Sequence, residues 1–258
     1  MTSVNIAVLM KPVPSTDSRI KVGPDGKSYD PAGVSLVINP YDEYALEEAL
    51  KLKEAGGGEV VLLTVGPSSL QPTIRNGLAM GADRAVLLTA DGPLDNLQVA
   101  RALAAEIAAG DFPLVLCGKQ AVDDDASQVG PMVAELLSRG CVTVVTKLEI
   151  DGGGAAVAGA VVRAQREIEG GLEDVTLALP AVISCQKGLN EPRYPSLKGI
   201  MAAKKKAIDE KPAQAGAPAL EVLSLALPPE RPAGRIVGEG AAAVPELVRL
   251  LHEEAKVI

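Results

Sequence analysis

Three consecutive aspartates, Asp123-Asp124-Asp125, follow Gly118-Lys119-Gln120-Ala121-Val122 and precede Ala126-Ser127-Gln128-Val129-Gly130-Pro131. The segment begins where a strand-length apolar run, Leu114–Cys117, ends. It leads into a helix expected over 131–139, with Met132, Val133, Leu136 and Leu137 on one face. A polar loop at the carboxyl end of a strand is where open α/β sheets bind ligands. The helix start adds unpaired N–H groups and a partial positive charge, which suits a phosphate. Pro131 has no N–H, so residues 118–129 are expected to keep free donors, with Ala126–Val129 nearest the phosphate. Carboxylates repel a phosphate. The three aspartates therefore fit such a site only if they turn away, capping the helix or bonding a ribose hydroxyl. A helix start made acidic for its dipole, with no ligand, accounts for the same residues equally well.

Other residues capable of chemistry are few. His252 is the single histidine and falls in an expected terminal helix, which argues against histidine catalysis or a metal centre. Cys117, Cys141 and Cys185 are odd in number and lack CxxC spacing, so they are expected to be buried thiols in a reducing compartment. The first strand ends in Lys11-Pro12-Val13-Pro14, where a nucleotide-binding loop of the Walker or dinucleotide kind would have glycines. Asn39-Pro40-Tyr41-Asp42-Glu43 has the form of a helix start, with Asn as cap, Pro at the first position and acids in the first turn. Capping alone explains Asn39, and Tyr41 is expected on an exposed turn. Lys204-Lys205-Lys206 is by default a solvated face.

These residues need elements to position them. Val4–Met10, Glu59–Val65, Ala85–Thr89 and Phe112–Cys117 are apolar runs of strand length, separated by helical patterns after Pro40, over 69–80 and over Leu97–Ala109. The order β-α-β-α-β-α-β indicates a doubly wound, mostly parallel, Rossmann-like sheet with helices on both faces. Residues 15–33 form a loop or hairpin. Cys141–Ile150, Ala155–Glu167 and Asp174–Leu179 are β-rich runs between glycine clusters and predict an antiparallel extension, followed by a strand at Ala181–Cys185 and a short basic helix. Lys211–Pro218 has a linker composition. Beyond it come Ala219–Leu227, a turn at Pro228–Pro232 and a helix at Val244–Ala255. The expected division is an α/β nucleotide-binding domain at 1–210 and a linker with a C-terminal arm at 211–258, too small for its own core.

Bulk properties narrow the class further. Of 258 residues 47% are hydrophobic, with one Phe, four Tyr and no Trp, so the core is aliphatic. A net charge of −8 argues against nucleic acid. No apolar run reaches the roughly 18–20 residues of a membrane span and no leader precedes residue 4, so a cytoplasmic protein is expected.

Lys11, Asn39-Pro40-Tyr41, Gly118–Asp125, Arg166-Glu167-Ile168-Glu169-Gly170-Gly171-Leu172-Glu173, Leu179-Pro180-Ala181-Val182-Ile183 and Asn190-Glu191-Pro192-Arg193-Tyr194 together resemble the β subunit of electron-transfer flavoprotein. The motifs run in that family's order across nearly the whole chain; Ser184 is a minor departure. The resemblance implies an electron carrier, not an enzyme. It implies a heterodimer with an α subunit that binds most of a shared FAD, and electron transfer from dehydrogenases, such as acyl-CoA dehydrogenases, to a membrane quinone oxidoreductase. It implies that Leu9, Asn39, Pro40, Tyr41, Asp42, Val65 and the whole loop Gly118, Lys119, Gln120, Ala121, Val122, Asp123, Asp124, Asp125, Ala126, Ser127, Gln128 and Val129 hold an adenine nucleotide, usually a structural AMP. It places Tyr41 beside the flavin, pairs Glu167 with the α flavin domain, and inserts Leu197 into a pocket of the dehydrogenase.

Within the family, Asp123–Asp125 matches the AMP-containing type, whereas Gln128-Val129-Gly130-Pro131 resembles the electron-bifurcating type, with a second FAD and an NADH approach in the same pocket. Outside it, a nucleotide hydrolase would need a glycine-rich first loop and a metal carboxylate site. A nucleotide-sensing module would not need the arm.

Overall fold

The computed structural model describes residues 5–151, 158–230 and 233–258. Val4, the start of the run expected at Ala155, and Arg231-Pro232 of the expected turn lie outside the described residues.

The chain runs β1 (Asn5–Leu9), β2 (Pro12–Pro14), β3 (Leu36–Ile38), α1 (Pro40–Gly56), β4 (Glu59–Gly66), α2 (Gln71–Met80), β5 (Arg84–Thr89), α3 (Asn96–Ala109) and β6 (Leu114–Gly118). It continues through α4 (Val129–Leu136), β7 (Gly140–Ile150), β8 (Val161–Ile168), β9 (Gly171–Ala178), β10 (Ala181–Cys185), α5 (Leu197–Ala203), β11 (Ile208–Pro212) and α6 (Val244–Glu253).

Nine strands form one sheet in the order β11-β5-β4-β1-β6-β10-β7-β8-β9. Every pair from β11 to β7 is parallel, and β7-β8-β9 is the antiparallel extension. Helices cover both faces, so alternate residues of β1 serve different cores. Ile6 and Val8 pack with Leu46, Leu62 and Leu78 on the α1/α2 side, and Ala7 and Leu9 pack with Val61, Leu103 and Val133 on the α3/α4 side. That double burial is why these strands are continuously apolar instead of alternating. Among the described residues no helix is long and apolar enough to cross a membrane.

Three elements differ from the sequence expectation, whereas residues 15–33 keep to the expected loop. The prolines at 12 and 14 form β2, which pairs antiparallel with β3 and buries Val13 between them. A two-stranded ribbon tolerates residues without N–H because its outer edge needs no donor. Residues 15–33 are mostly irregular, with a single Val22–Tyr29 bridge around the Asp25-Gly26 turn. The helix expected at 131–139 starts two residues earlier and stops at Leu136, where Ser138 turns left-handed (φ 51°); Leu136 is exposed. The segment expected to open a linker at 211 is still strand, because Lys211 and Pro212 continue β11 along the sheet edge beside Leu88 and Thr89.

Candidate functional site

Sheet topology fixes where a ligand fits. From β1 the chain steps outward through β4 to β5, then β6 returns to the other side of β1. The carboxyl ends of β1 and β6 thus diverge at a switch point, and a crevice opens between the loops that leave them. It is lined by Leu9, Met10 and Lys11 after β1, Asn39 and Asp42 of the α1 start, and Leu63 and Val65 of β4. Leu94, Asn96, Val99 and Leu103 around α3, and Cys117–Ala121, Asp124 and Ala126–Gly130 close it.

Asp42 ties the two strand ends together. One carboxylate oxygen accepts the main-chain N–H of Lys11 (2.8 Å), the other that of Gly118 (2.9 Å). Burial raises its pKa to about 7, against the lowering effect of those N–H groups. Gly118 is required by the same close approach: a Cβ there would lie 2.5 Å from the Asp42 carboxylate and 2.6 Å from Tyr41 Cβ.

Asn39 precedes α1 but its side chain makes no cap hydrogen bond. It reaches across to the loop after β6, donating from Nδ2 to the Gln120 carbonyl (2.9 Å) and accepting from Val122 N–H (3.2 Å). Capping, the expected explanation of this residue, is therefore replaced by a tether. Tyr41 is half-buried, not exposed, and its ring carries Lys119 Nζ at 5.2 Å from the centroid, a cation–π contact.

The three aspartates turn on their own chain. Asp123 and Asp124 both pair with Lys11 Nζ (2.8 and 3.1 Å), and Asp125 accepts from Gln120 Nε2 (2.6 Å). None caps α4, contrary to one of the roles expected of them, because Lys11 at the end of β1 offers a nearer cation. Asp124 also accepts from Ala126 N–H (3.1 Å), which removes Ala126 from the donors expected to face a phosphate. Gly118, Lys119, Val122, Asp124 and Asp125 spend their N–H groups inside the chain as well. Among the described residues the N–H groups of Ser127, Gln128, Val129 and Gly130 take no acceptor. Ser127 sits left-handed (φ 54°) at the approach to α4. Gly130 lets α4 lie against β6, since a Cβ there would meet Cys117 Sγ at 2.7 Å.

Of the expected residues, Leu9, Asn39, Asp42, Val65, Gly118, Lys119, Gln120, Ala121, Asp124, Ala126, Ser127, Gln128 and Val129 line the crevice. Pro40, Tyr41, Val122, Asp123 and Asp125 are not among the residues that line it. Glu167 is on β8, bonded to Gln186 Nε2, and Leu197 opens α5; neither lines the crevice. Leu94, Asn96 and Val99 escaped the motif-based reading. The signal that marks them is the Asp95/Gln98 capping box, which places the start of α3 at the crevice mouth. Cys117 and Cys185 are buried, and burial pushes their thiols up; Cys141 is exposed on β7, so the expectation of three buried thiols fails there. Lys206 is not a solvated lysine, because its Nζ bonds the Leu78 and Ala82 carbonyls at the end of α2.

Residues 28–215 match the family described as electron transfer flavoprotein domain. The chain is 42% identical to electron transfer flavoprotein subunit beta of Bacillus subtilis, with 99% of this chain and 100% of that protein aligned. It is 42% identical to the Bradyrhizobium diazoefficiens protein of that name over 99% and 100% of the two chains. The chain belongs to the electron transfer flavoprotein β-subunit family. The mitochondrial β subunit of Oryza sativa subsp. indica is 40% identical over 99% of this chain and 100% of its own. Membership makes the chain an electron-transfer, flavin-associated protein. The crevice has free N–H groups at the start of α4, and Asp123, Asp124 and Asp125 beside it already have partners within the chain.

Proposed function

We propose that this chain is the β subunit of a heterodimer in which a companion α subunit holds most of one FAD, and that its own crevice holds AMP as a structural element. The chain has no catalytic role in this reading. Electrons enter from dehydrogenases, such as acyl-CoA dehydrogenases, and leave to a membrane quinone oxidoreductase. When bound, the FAD supplies the electron-accepting chemistry; this chain's residues bind, orient and shield. The observation that carries the AMP reading is the run of four unpartnered N–H groups, Ser127 to Gly130, beside carboxylates that are turned onto Lys11 (Asp123, Asp124) and Gln120 (Asp125). Amides at a helix start suit a phosphate. The apolar walls, Leu9, Leu63, Val65, Val99 and Leu103, suit a base.

The test is to denature the purified heterodimer and identify its nucleotides by mass. One FAD and one AMP per heterodimer are expected. Two FAD would assign the chain to the bifurcating type, and no nucleotide beyond one FAD would remove the phosphate role of the loop. Added AMP should also raise the melting temperature of stripped protein, since the unfolded chain cannot bind it.

A further inference from the structure

Residues 186–196 between β10 and α5 have no regular secondary structure, yet they are tied down along their length. Arg193 donates from its main-chain N (3.1 Å) and Nε (2.8 Å) to one Glu47 oxygen, and from Nη2 to the other (2.9 Å). The same guanidinium bonds Glu54 through Nη1 (2.5 Å) and Nη2 (3.2 Å). Glu47 and Glu54 lie about two turns apart on α1, so one planar group spans two carboxylates of one helix face. Three residues earlier, Asn190 Nδ2 donates to the Tyr44 carbonyl (3.0 Å) and to Glu48 (2.9 Å). On the far side, Ser196 caps α5 by accepting from Gly199 N–H (3.0 Å). Gly199 packs on the Ala79 carbonyl, and Arg75 bonds the Ala203 and Lys206 carbonyls. The side chains between these anchors point to water: Tyr194 is 95% exposed, Leu197 84% and Met201 71%.

We propose that Arg193 is a positioning residue for partner docking, a latch on α1 that presents Tyr194, Leu197 and Met201 in a fixed array. The inference rests on the reading of Leu197 as the dehydrogenase anchor. An apolar anchor on a loose loop loses affinity to the ordering of that loop, whereas a latched loop is ordered before the partner arrives. The guanidinium is suited to this and an ammonium is not, because only a planar fork bonds two carboxylates bidentately. The latch also joins the docking loop to the helix whose start, with Asn39 just before it and Asp42 in its first turn, holds the crevice loops.

The experiment uses the intact heterodimer as acceptor for an acyl-CoA dehydrogenase reduced by its acyl-CoA substrate, with heterodimer concentration varied. Removing Arg193 outright leaves Glu47, 5% exposed, without its partner and endangers the fold, so the informative variants are milder. Arg193→Lys is expected to raise the KM for the heterodimer about tenfold, a change of about 1.4 kcal/mol, and Glu54→Gln about threefold. Both should leave kcat and bound nucleotide unchanged, and any fall in melting temperature should be slight beside the rise in KM. Hydrogen exchange of residues 186–196 should quicken in both. Leu197→Ala is the control: it should raise KM without quickening that exchange. If Leu197→Ala raises KM while Arg193→Lys changes neither KM nor exchange, the latch is overturned and the docking reading stands. If Leu197→Ala leaves KM unchanged, the docking reading fails and takes the latch with it. A lowered melting temperature with KM unchanged in Arg193→Lys would make Arg193 merely structural.

Discussion

Asp42 is a carboxylate whose two oxygens satisfy two strand ends while its surroundings resist its charge. With the folded pKa raised to about 7 and the unfolded one near the ordinary 3.8, the folded chain holds a proton that the unfolded chain has lost between those values. Stability from this group is therefore greatest below about pH 4 and falls as pH rises toward 7, with a limiting slope of about 1.4 kcal/mol per pH unit. Asp42→Asn cannot titrate, and it keeps only one of the two N–H bonds. Urea unfolding of both proteins at pH 5 and pH 7 should show the advantage of the native residue shrinking on going to pH 7; parallel profiles would place the proton elsewhere. Asn39 teaches a related lesson. Its position before Pro40 made capping sufficient from sequence, and only the fold shows that the loop after β6 comes within 2.9 Å of its amide. The helix start was legible at both residues; the side chains' partner in the loop after β6, some 80 positions away, was not.

Among the elements, the alternation of apolar runs and helical patterns was enough to read β1, β4, β5 and β6 and the helices between them, because burial on both sheet faces writes a strand as an uninterrupted apolar run. β2 and β11 were missed for the opposite reason. Each is short, proline-containing and at an edge, so its pairing owes little to its own residues and much to the neighbour already in place. The start of α4 was misjudged by two residues because Pro131 is tolerated within a first turn, where its missing N–H has no ladder partner to serve. The glycine before it carries the tighter constraint. Gly130→Ala would set a methyl 2.7 Å from Cys117 Sγ, which is buried and leans toward the Ile183 carbonyl. The helix start must then move outward, taking the free N–H groups with it. Overpacking of this kind costs typically about 1–3 kcal/mol. The variant should melt earlier and retain less nucleotide, and Cys117→Ala in the same chain should restore both. Failure of the double variant to recover would mean that the glycine serves the ligand directly and not the helix–strand contact.

At the scale of the whole molecule, the described part of the arm after residue 218 stays open to solvent. Ala219 and Leu220 donate to Asp95, whose other oxygen caps α3; Leu225 donates to the Gly26 carbonyl; and Glu221 pairs with Lys27. Beyond those ties the apolar residues face outward: Leu223 is 77% exposed and Ile236 88%, with Leu220, Leu227, Val244, Leu247 and Val248 also open, whereas Leu250 is buried. Alternating leucines and valines after a Pro/Ala linker announce an apolar face, but sequence alone does not say whether that face folds back on its own domain. Here it does so at few points, and so much apolar surface on one segment marks a protein partner. In the proposed heterodimer that partner is the α subunit, around which the arm wraps. Regions with few buried contacts open locally at little free-energy cost, so their amides exchange quickly until a partner covers them. Hydrogen exchange on the isolated chain should therefore find residues 219–258 almost unprotected while β1, β4 and β6 exchange slowly. The same arm in the heterodimer should slow by orders of magnitude. Equal protection of the arm in both states would mean that it is held by its own domain, and the partner surface would have to be sought elsewhere on the chain.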